Sequence, residues 1–221
     1  MQLFLDGSDI EKIRKYCGLG LIDGVTTNPS IILKSGKNMI EVISELAGIV
    51  SGSVSAEVSA LDSDTMVQEG IKLAEIAENV TVKLPITWDG LKACKTLSNK
   101  GISVNMTLCF SSSQALLAAK AGAEYVSPFI GRLDDLNLEG IDLISDIKLI
   151  YSNYKFSTKI LAASIRTINH VKQCACFGAD VATIPLDIFE KLVKHPLTDS
   201  GLSQFTACLL YTSDAADDSG C

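Results

Sequence analysis

Short apolar runs alternate with stretches of helical periodicity along most of the chain. The apolar runs predict strands at residues 2–6, 24–28, 53–58, 80–84, 103–108, 125–129, 159–164 and 181–185. The stretches after them predict helices at residues 8–17, 38–50, 62–78, 88–100, 111–121, 138–153, 167–177 and 186–194, and a ninth follows at 198–207. Strand–helix alternation of this length predicts an α/β protein with one (β/α)8 TIM barrel and an extra C-terminal helix.

A doubly wound open sheet is the alternative fold, because it has the same alternation of strands and helices. Such sheets commonly bind nucleotides through a glycine-rich loop that follows a strand. Neither a GxGxxG loop nor a GxxxxGK[ST] loop follows any of the predicted strands. The barrel is therefore the favoured architecture.

Alternation within the predicted strands indicates which side chains face the barrel interior. We expect the apolar members of each strand to face the surrounding helices and the other members to face inward. The outward set of strand seven is then Leu161, Ala163 and Ile165, and its inward set is Ala162, Ser164 and Arg166.

The inward set becomes polar near the C-terminal ends of the strands. Its polar members there are Asp6, Thr26, Asn28, Glu57, Lys83, Asn105, Thr107, Ser127, Ser164 and Arg166. Barrel interiors are normally filled by branched apolar side chains, and a buried polar group costs free energy unless it is hydrogen-bonded. So many polar groups at one end of the barrel indicate a functional site.

Lys83 lies inside the apolar run 80–85, so its ammonium is expected to be desolvated, paired or reactive. Desolvation disfavours the charged form of an amine, and a free amine attacks carbonyl carbons to form Schiff bases. The alternative is a packed lysine stem whose head reaches water at the strand end. Two inward carboxylates, Asp6 and Glu57, can move protons and favour the reactive interpretation.

The other inward residues suit a hydroxylated carbonyl substrate with a phosphate. Asn28 and Asn105 can hold hydroxyls or carbonyls, and an iminium on the lysine would act as the electron sink for carbon–carbon cleavage. Arg132 and Arg166, which follow strands six and seven, can bind a phosphate through their guanidinium groups. A surface ion pair with an acidic residue at 134 or 135 is the alternative for these arginines.

The composition of the chain disfavours several classes of binding partner. The net charge of −7 argues against general binding to nucleic acid or to an anionic membrane surface. No apolar stretch approaches the roughly 20 residues of a membrane helix, and residues 1–6 lack the basic region of a signal peptide, so we expect neither. Seven cysteines without a CxxC pair suggest reduced thiols in the cytoplasm, and two histidines disfavour a metal site.

Five segments, in order along the chain, resemble the signatures of the transaldolase family. They are residues 24–30 (Gly-Val-Thr-Thr-Asn-Pro-Ser), 82–85 (Val-Lys-Leu-Pro), 105–108 (Asn-Met-Thr-Leu), 125–134 (Tyr-Val-Ser-Pro-Phe-Ile-Gly-Arg-Leu-Asp) and 162–166 (Ala-Ala-Ser-Ile-Arg). The resemblance covers nearly the whole chain to about Phe205. It points to the small single-domain transaldolases close to fructose-6-phosphate aldolase.

The resemblance implies catalytic roles for Lys83, Asp6, Glu57 and Thr107. Lys83 would form the Schiff base with the dihydroxyacetone unit of a ketose phosphate. Asp6 would take the proton from the C4 hydroxyl during cleavage and return it during addition. Glu57 and Thr107 would position a catalytic water that carries protons during Schiff-base formation.

The resemblance also implies a set of substrate-binding residues. They are Thr26, Asn28, Asn105, Ser127, Phe129, Arg132, Ser164 and Arg166. The asparagines and the serine at 127 would bind the dihydroxyacetone hydroxyls, with the threonine supporting the pocket. The arginines and the serine at 164 would bind the phosphate, although barrels often bind phosphate after strands seven and eight.

The activity that the resemblance implies belongs to the pentose phosphate pathway. A dihydroxyacetone unit would pass from fructose 6-phosphate to erythrose 4-phosphate and give sedoheptulose 7-phosphate and glyceraldehyde 3-phosphate. The family needs neither a metal nor an organic cofactor. Its small members often form pentamers or decamers, so we expect a homo-oligomer.

Fructose-6-phosphate aldolase, a lyase that uses the same lysine, is the near alternative. The resemblance separates the two at Phe129 and Glu57, since the aldolases have a tyrosine and a glutamine at these positions. Both residues favour transfer. A non-catalytic barrel that serves as a binding module is the more distant alternative, and a binding module has no need of an interior amine.

Residues 206–221 depart from the family, which has an acidic and aromatic helix end there. The segment lacks helical periodicity and contains two of the seven cysteines. We therefore predict a barrel domain at 1–205 and a non-native or disordered tail at 206–221.

Overall fold

Eight parallel strands close into a barrel in the computed structural model, which describes residues 1–36 and 38–217. The strands are β1 (Gln2–Asp6), β2 (Gly24–Thr26), β3 (Val54–Glu57), β4 (Val80–Pro85), β5 (Val104–Cys109), β6 (Tyr125–Pro128), β7 (Lys159–Ala162) and β8 (Val181–Pro185). Each strand pairs with the next, and β8 pairs with β1 to complete the ring. The predicted (β/α)8 barrel is confirmed.

Helices follow the strands around the barrel. They are α1 (Ile10–Cys17), α2 (Pro29–Ser35), α3 (Met39–Ile49), α4 (Ser63–Ala74), α5 (Trp88–Asn99), α6 (Ser112–Ala121), α7 (Ile130–Asp134), α8 (Gly140–Tyr154), α9 (Ile168–Cys176) and α10 (Leu186–Phe189). The sequence pattern missed α2 and α7, because each spans two turns or fewer and shows no clear period. It also predicted α10 to continue to residue 194, whereas turns follow Phe189.

Side-chain caps explain where several of these helices begin. The carboxylates of Asp9 and Asp62 and the hydroxyls of Thr87 and Ser111 each accept a hydrogen bond from a backbone N–H in the first turn. Caps of this kind satisfy N–H groups that have no partner within the helix. The loops from strand to helix are thereby fixed at the end of the barrel where the polar inward residues lie.

A buried apolar cluster fills one side of the barrel interior. Phe4, Tyr125, Leu161 and Val181 pack together, and the rings of Phe4 and Tyr125 lie 6.0 Å apart between centroids. Because β1 and β6 are not neighbours in the barrel, this contact crosses the interior. The prediction that Leu161 faces the helices was therefore wrong.

Strand seven ends earlier than its sequence suggests, which changes the direction of the following side chains. Regular pairing stops at Ala162, and Ser164 has a left-handed φ of 59°. Ala163 lies two residues after the inward Leu161 and lines the cavity, and the turn at Ser164 lets Ser164 and Arg166 line the same cavity. The outward prediction for Ala163 was wrong for the same reason as that for Leu161, because the apolar members of this strand face inward.

The described residues from Glu190 to Asp217 belong to a separate compact unit. Its helix α11 runs from Pro196 to Asp217, whereas the sequence predicted a helix only at 198–207. Residues 218–221 of the predicted tail lie outside the described part of the chain. None of the helices in the described ranges is long and apolar enough to span a membrane.

Candidate active site

A cavity of about 230 Å³ opens at the C-terminal ends of the strands. Its lining consists of Asp6, Thr26, Asn28, Lys83, Ser127, Phe129, Arg132, Ala163, Ser164, Arg166 and Thr183. All the predicted site residues except Glu57, Asn105 and Thr107 are in this lining. Period-two alternation therefore located most of the polar residues that the barrel brings together.

Lys83 is the buried cation of this cavity. Its Nζ lies 3.0 Å from Glu57 Oε2 and donates to the backbone oxygen of Thr27 at 3.2 Å. The two side chains stand side by side because Lys83 pairs with Glu57 in the register of β3 and β4. Glu57 does not line the cavity itself, but it is placed to exchange a proton with the amine that does.

Asp6, at the end of β1, is the carboxylate in the cavity lining. Its Oδ1 accepts a hydrogen bond of 2.9 Å from Thr26 Oγ1, and the same hydroxyl lies 2.6 Å from Thr183 Oγ1. Burial raises the pKa of Asp6, while the Thr26 hydrogen bond and the charge of Lys83 lower it in part. The result is a carboxyl that is suited to both taking and returning a proton.

The two polar atoms of the Asn28 amide have different roles: the oxygen makes a structural hydrogen bond, and the nitrogen is available to the cavity. Its Oδ1 accepts from the backbone N–H of Ile31 at 3.0 Å and caps helix α2, which begins at Pro29. Proline suits the first helical position because its missing N–H would have no partner there. The Nδ2 group of Asn28 can then donate to a ligand.

Asn105 lies behind the cavity rather than in its lining. Its Oδ1 accepts from Ser127 Oγ at 2.7 Å, and its Nδ2 donates to Ser55 Oγ at 3.3 Å. All three side chains are buried. Ser127 does line the cavity, and its direction is set by the hydrogen bond to Asn105.

Thr107 is buried in the described structure, and its Oγ1 has no hydrogen-bond partner among the described residues. A buried hydroxyl without a partner costs about 1–3 kcal/mol. Because a hydrogen bond would remove this cost, the Thr107 hydroxyl is suited to binding a water or a polar ligand atom.

Arg166 points its guanidinium at Asp135, which follows helix α7. Arg166 Nη2 donates to Asp135 Oδ2 at 2.7 Å, and Nη1 donates to the other carboxylate oxygen. The sequence left open whether the arginines bind phosphate or a neighbouring carboxylate. In the described structure Arg166 has the carboxylate partner, while its side chain also borders the cavity.

A second contact ties the same two segments together. The backbone N–H of Arg166 donates to His170 Nδ1 at 3.4 Å, and His170 Nε2 lies 3.1 Å from Asp134 Oδ2. Because Nδ1 accepts, the ring proton belongs on Nε2, where it can donate to the carboxylate. Gly131 allows the close approach, since a Cβ there would clash with the carbonyl oxygen of Ser164.

Arg132 lies over an aromatic ring instead of beside a carboxylate. Its guanidinium carbon is 4.9 Å from the centroid of Phe129, and the Phe129 ring meets Phe110 edge-on at 5.6 Å. A guanidinium over an aromatic face is stabilised by the ring quadrupole and keeps its N–H groups available. Within the described ranges Arg132 has no carboxylate partner, so it offers an uncompensated positive charge to the cavity.

Sequence reasoning missed two residues of the cavity, Thr183 and Ala163. The signal for Thr183 was present, since it lies between Ala182 and Ile184 and alternation predicts an inward side chain for it. Ala163 was missed because the sequence analysis assigned the apolar members of strand seven to the outer face, whereas Leu161 and Ala163 both face inward.

A larger cavity of about 460 Å³ lies at the opposite end of the barrel. The hydroxyls of Ser53, Thr81 and Ser103 line it and bond one another at 2.7 and 3.1 Å. Each of these groups already has a partner. The chemistry of Lys83, Asp6 and the arginines is confined to the smaller cavity.

Cys17, Cys94, Cys109, Cys174 and Cys176 are free thiols, and they lie outside the lining of the smaller cavity. Burial raises the pKa of Cys94, Cys109 and Cys174 to about 12 in each case. Buried thiols with so high a pKa are inert and serve as packing groups.

The comparisons with a family model and with individual proteins all find similarity to transaldolases. The family model described as transaldolase/fructose-6-phosphate aldolase matches residues 3–218. A probable transaldolase of Roseobacter denitrificans is 65% identical over 205 residues, which cover 93% of this chain and 94% of that protein. Probable transaldolases of a Ruegeria species and of Parvibaculum lavamentivorans are each 60% identical over 94% of this chain and 95% of their own.

Proposed function

The chain belongs to the transaldolase/fructose-6-phosphate aldolase family, and on this premise we propose that it transfers a dihydroxyacetone unit through a Schiff base on Lys83. The donors would be fructose 6-phosphate and sedoheptulose 7-phosphate. The acceptors would be erythrose 4-phosphate and glyceraldehyde 3-phosphate, so that the enzyme serves the pentose phosphate pathway.

The observation that carries this proposal is the buried amine of Lys83 in the cavity wall, next to the carboxylate of Glu57. Its Nζ is 3.0 Å from Glu57 Oε2, close enough for direct proton exchange. Transfer of the ammonium proton to Glu57 would turn two charged groups into two neutral groups and release the amine lone pair. The amine can then attack the C2 carbonyl of a ketose.

Schiff-base formation also requires the loss of water. Addition of the amine gives a carbinolamine, and a proton must reach its hydroxyl before water leaves and the iminium forms. A water held between Glu57 and Thr107 would carry this proton. The buried Thr107 hydroxyl, which lacks a partner among the described residues, supports that role.

Cleavage needs a base at the C4 hydroxyl, and we assign this role to Asp6. The proton of that hydroxyl passes to Asp6 as the C3–C4 bond breaks, the aldehyde leaves, and the bond electrons enter the iminium to give an enamine. The enamine then attacks the aldehyde acceptor, and Asp6 returns its proton to the new hydroxyl. The raised pKa of Asp6 supports both directions of this exchange.

Substrate binding follows from the polar groups around the amine. The amide of Asn28 and the hydroxyl of Ser127 would bind the dihydroxyacetone hydroxyls, while Asn105 holds Ser127 in place. Thr26 would support Asp6. At the opposite side of the cavity Arg132, Ser164 and Arg166 would bind the phosphate.

Transfer is favoured over hydrolytic release by Phe129 and Glu57. A tyrosine at position 129 could hydrogen-bond a water near the enamine, whereas phenylalanine has no polar atom. The bound dihydroxyacetone unit would then wait for an aldehyde acceptor instead of being released. We also predict a homo-oligomer in the cytoplasm that needs no cofactor, on the basis of the family resemblance and the cysteine content.

Borohydride trapping with fructose 6-phosphate tests the central step. We expect a reduced adduct on Lys83, located by mass spectrometry, and none in Lys83→Met. Lys92→Met is the matched control, because Lys92 is an exposed lysine paired with Asp64 and should not affect the adduct. An adduct on Lys92 or on Lys95, or no adduct at all, would refute the proposal.

A coupled assay with and without erythrose 4-phosphate then separates transferase from lyase. We expect turnover of fructose 6-phosphate to depend on the added acceptor. Release of free dihydroxyacetone at the rate of transfer would make the protein an aldolase, even if Lys83 is trapped as expected.

A further inference from the structure

Two buried threonines and the partly buried Asp6 form a continuous chain of hydrogen bonds along one wall of the cavity. Thr183 Oγ1 lies 2.6 Å from Thr26 Oγ1, which lies 2.9 Å from Asp6 Oδ1. The residues come from β8, β2 and β1, so the chain spans three neighbouring strands inside the barrel. Thr183 and Thr26 are 4% and 3% exposed, so both side chains are largely removed from bulk water although they border the cavity.

The direction of these hydrogen bonds follows from the chemistry of the groups. An ionised carboxylate can only accept, so Thr26 must donate its single proton to Asp6. The proton between the two threonines must then come from Thr183. If Asp6 takes up a proton on Oδ2, its Oδ1 still accepts, and the direction of the chain does not change.

We propose that Thr183 is a positioning residue for the reaction described above. Its hydroxyl donates to Thr26 and commits the Thr26 proton to Asp6 Oδ1, which leaves Oδ2 as the atom that exchanges a proton with the substrate hydroxyl. The inference rests on the proposed role of Asp6 as the base of cleavage.

Without this donor, the Thr26 hydroxyl would be free to rotate away from the carboxylate. Asp6 would lose its hydrogen bond from Thr26 for part of the time, and either oxygen could turn toward the cavity. Because a donated hydrogen bond favours the ionised form, its loss raises the pKa of the carboxyl. The pH dependence of cleavage is therefore the property that a purely structural role would not change.

Thr183→Val removes the hydroxyl and keeps the shape, and Thr183→Ser keeps the hydroxyl. Thr81→Val is the matched control, because Thr81 is a buried interior threonine that bonds two serines at the other end of the barrel. Thr183→Ala supplies the same loss of a donor if the valine variant does not fold.

We expect Thr183→Val to form the trapped Lys83 adduct to the normal extent but to lower kcat by about 3- to 10-fold, the range for one hydrogen bond. The acid limb of its pH profile should move to higher pH by up to about one unit. Thr183→Ser should restore both values to within about 2-fold. Thr81→Val should leave the pH profile unchanged.

A double variant tests whether Thr183 acts through Thr26. Thr26→Val with Thr183→Val should be no slower than Thr26→Val alone, since the second hydroxyl has nothing left to orient. Two results would overturn the inference: additive losses of kcat in the double variant, or a pH profile of Thr183→Val that matches that of Thr81→Val. Absence of the Lys83 adduct in the unmodified protein would instead refute the proposed function itself.

Discussion

The inner end of the candidate cavity and its outer rim each contain an ion pair, but the two pairs differ in burial. The side chains of Lys83 and Glu57 are 9% and 17% exposed, whereas those of Arg166 and Asp135 are 48% and 50% exposed. Breaking a buried pair leaves an uncompensated charge and is strongly unfavourable. An exposed pair contributes about 0–1 kcal/mol, so a partner can be exchanged at little cost.

The difference suits the separate tasks that we propose for the two ends. At the inner end the amine must be held in one place while its proton moves, which a largely shielded carboxylate at 3.0 Å allows. At the rim a phosphate must enter and leave in each turnover. A half-exposed arginine with a carboxylate on one edge can accept the phosphate without a large change in stability.

Among the variants that test this comparison, Asp6→Asn at the inner end is expected to have the largest effect on the reaction rate. Loss of the base should slow cleavage by about 10²- to 10⁴-fold, while the Lys83 adduct still forms. Single-turnover kinetics of fructose 6-phosphate cleavage, together with borohydride trapping, would measure the two steps separately. Near-normal turnover would remove Asp6 from the mechanism.

The same variant should be more stable than the unmodified protein at neutral pH. Because burial raises the pKa of Asp6 in the folded state, the ionised carboxyl is less favourable there than in the unfolded chain. The cost appears as the pH rises through the unfolded and then the folded pKa, and it persists above both. Melting temperatures should therefore differ at pH 7.5 and converge as the pH falls below 4.

An intermediate effect is expected from Arg166→Ala at the rim. Loss of a charge-assisted hydrogen bond costs about 1.5–3 kcal/mol, so the KM for fructose 6-phosphate should rise about 10- to 150-fold. The KM for free dihydroxyacetone should hardly change, because it carries no phosphate. Equal increases for both substrates would mean that Arg166 shapes the pocket and does not bind phosphate.

Asp135→Asn is the matched variant for the rim. It keeps the size of the side chain and removes the charge that faces Arg166. Because an exposed ion pair contributes little, we expect the KM for fructose 6-phosphate to change by less than about 5-fold. A larger increase would show that the arginine depends on Asp135 for its position.

The contrast between the two ends also explains how far sequence reasoning reaches. The inner end lies on regular strands, where alternation fixes the direction of each side chain, so Lys83, Glu57 and Asp6 could be predicted to converge. The same rule predicts an inward side chain for Thr183 on the last strand. The closed barrel likewise follows from repeated local patterns that any window of the chain reveals.

The rim could not be predicted in the same way, because it lies beyond the strand ends. The left-handed φ of Ser164 and the short helix α7 determine where Arg166 points, and neither leaves a periodic signal. The choice of Asp135 as its partner depends on contacts between segments about thirty residues apart. Sequence therefore predicted that an arginine would border the site but not which group it would meet.

A smaller effect is expected from Phe129→Tyr, with Glu57 left unchanged. A phenol at position 129 could hold a water near the enamine, and one such hydrogen bond corresponds to an increase of about 2- to 12-fold in acceptor-independent cleavage. Phe110→Tyr is the control, because Phe110 packs against Phe129 but does not line the cavity. An unchanged ratio of cleavage to transfer would show that another residue sets the choice.

The smallest effect is expected from truncation after Phe205, which tests the predicted tail. The side chains from Thr206 to Cys208 are exposed, and Asp214, Asp217 and Asp218 add charge to a segment with little apolar surface to bury. Ordering such a segment contributes little stability. Because every residue that we assign to the chemistry precedes position 190, the truncated protein should form the Lys83 adduct within about 2-fold of the normal rate. Loss of the adduct in a truncated protein that still folds would assign residues 206–221 to the active site.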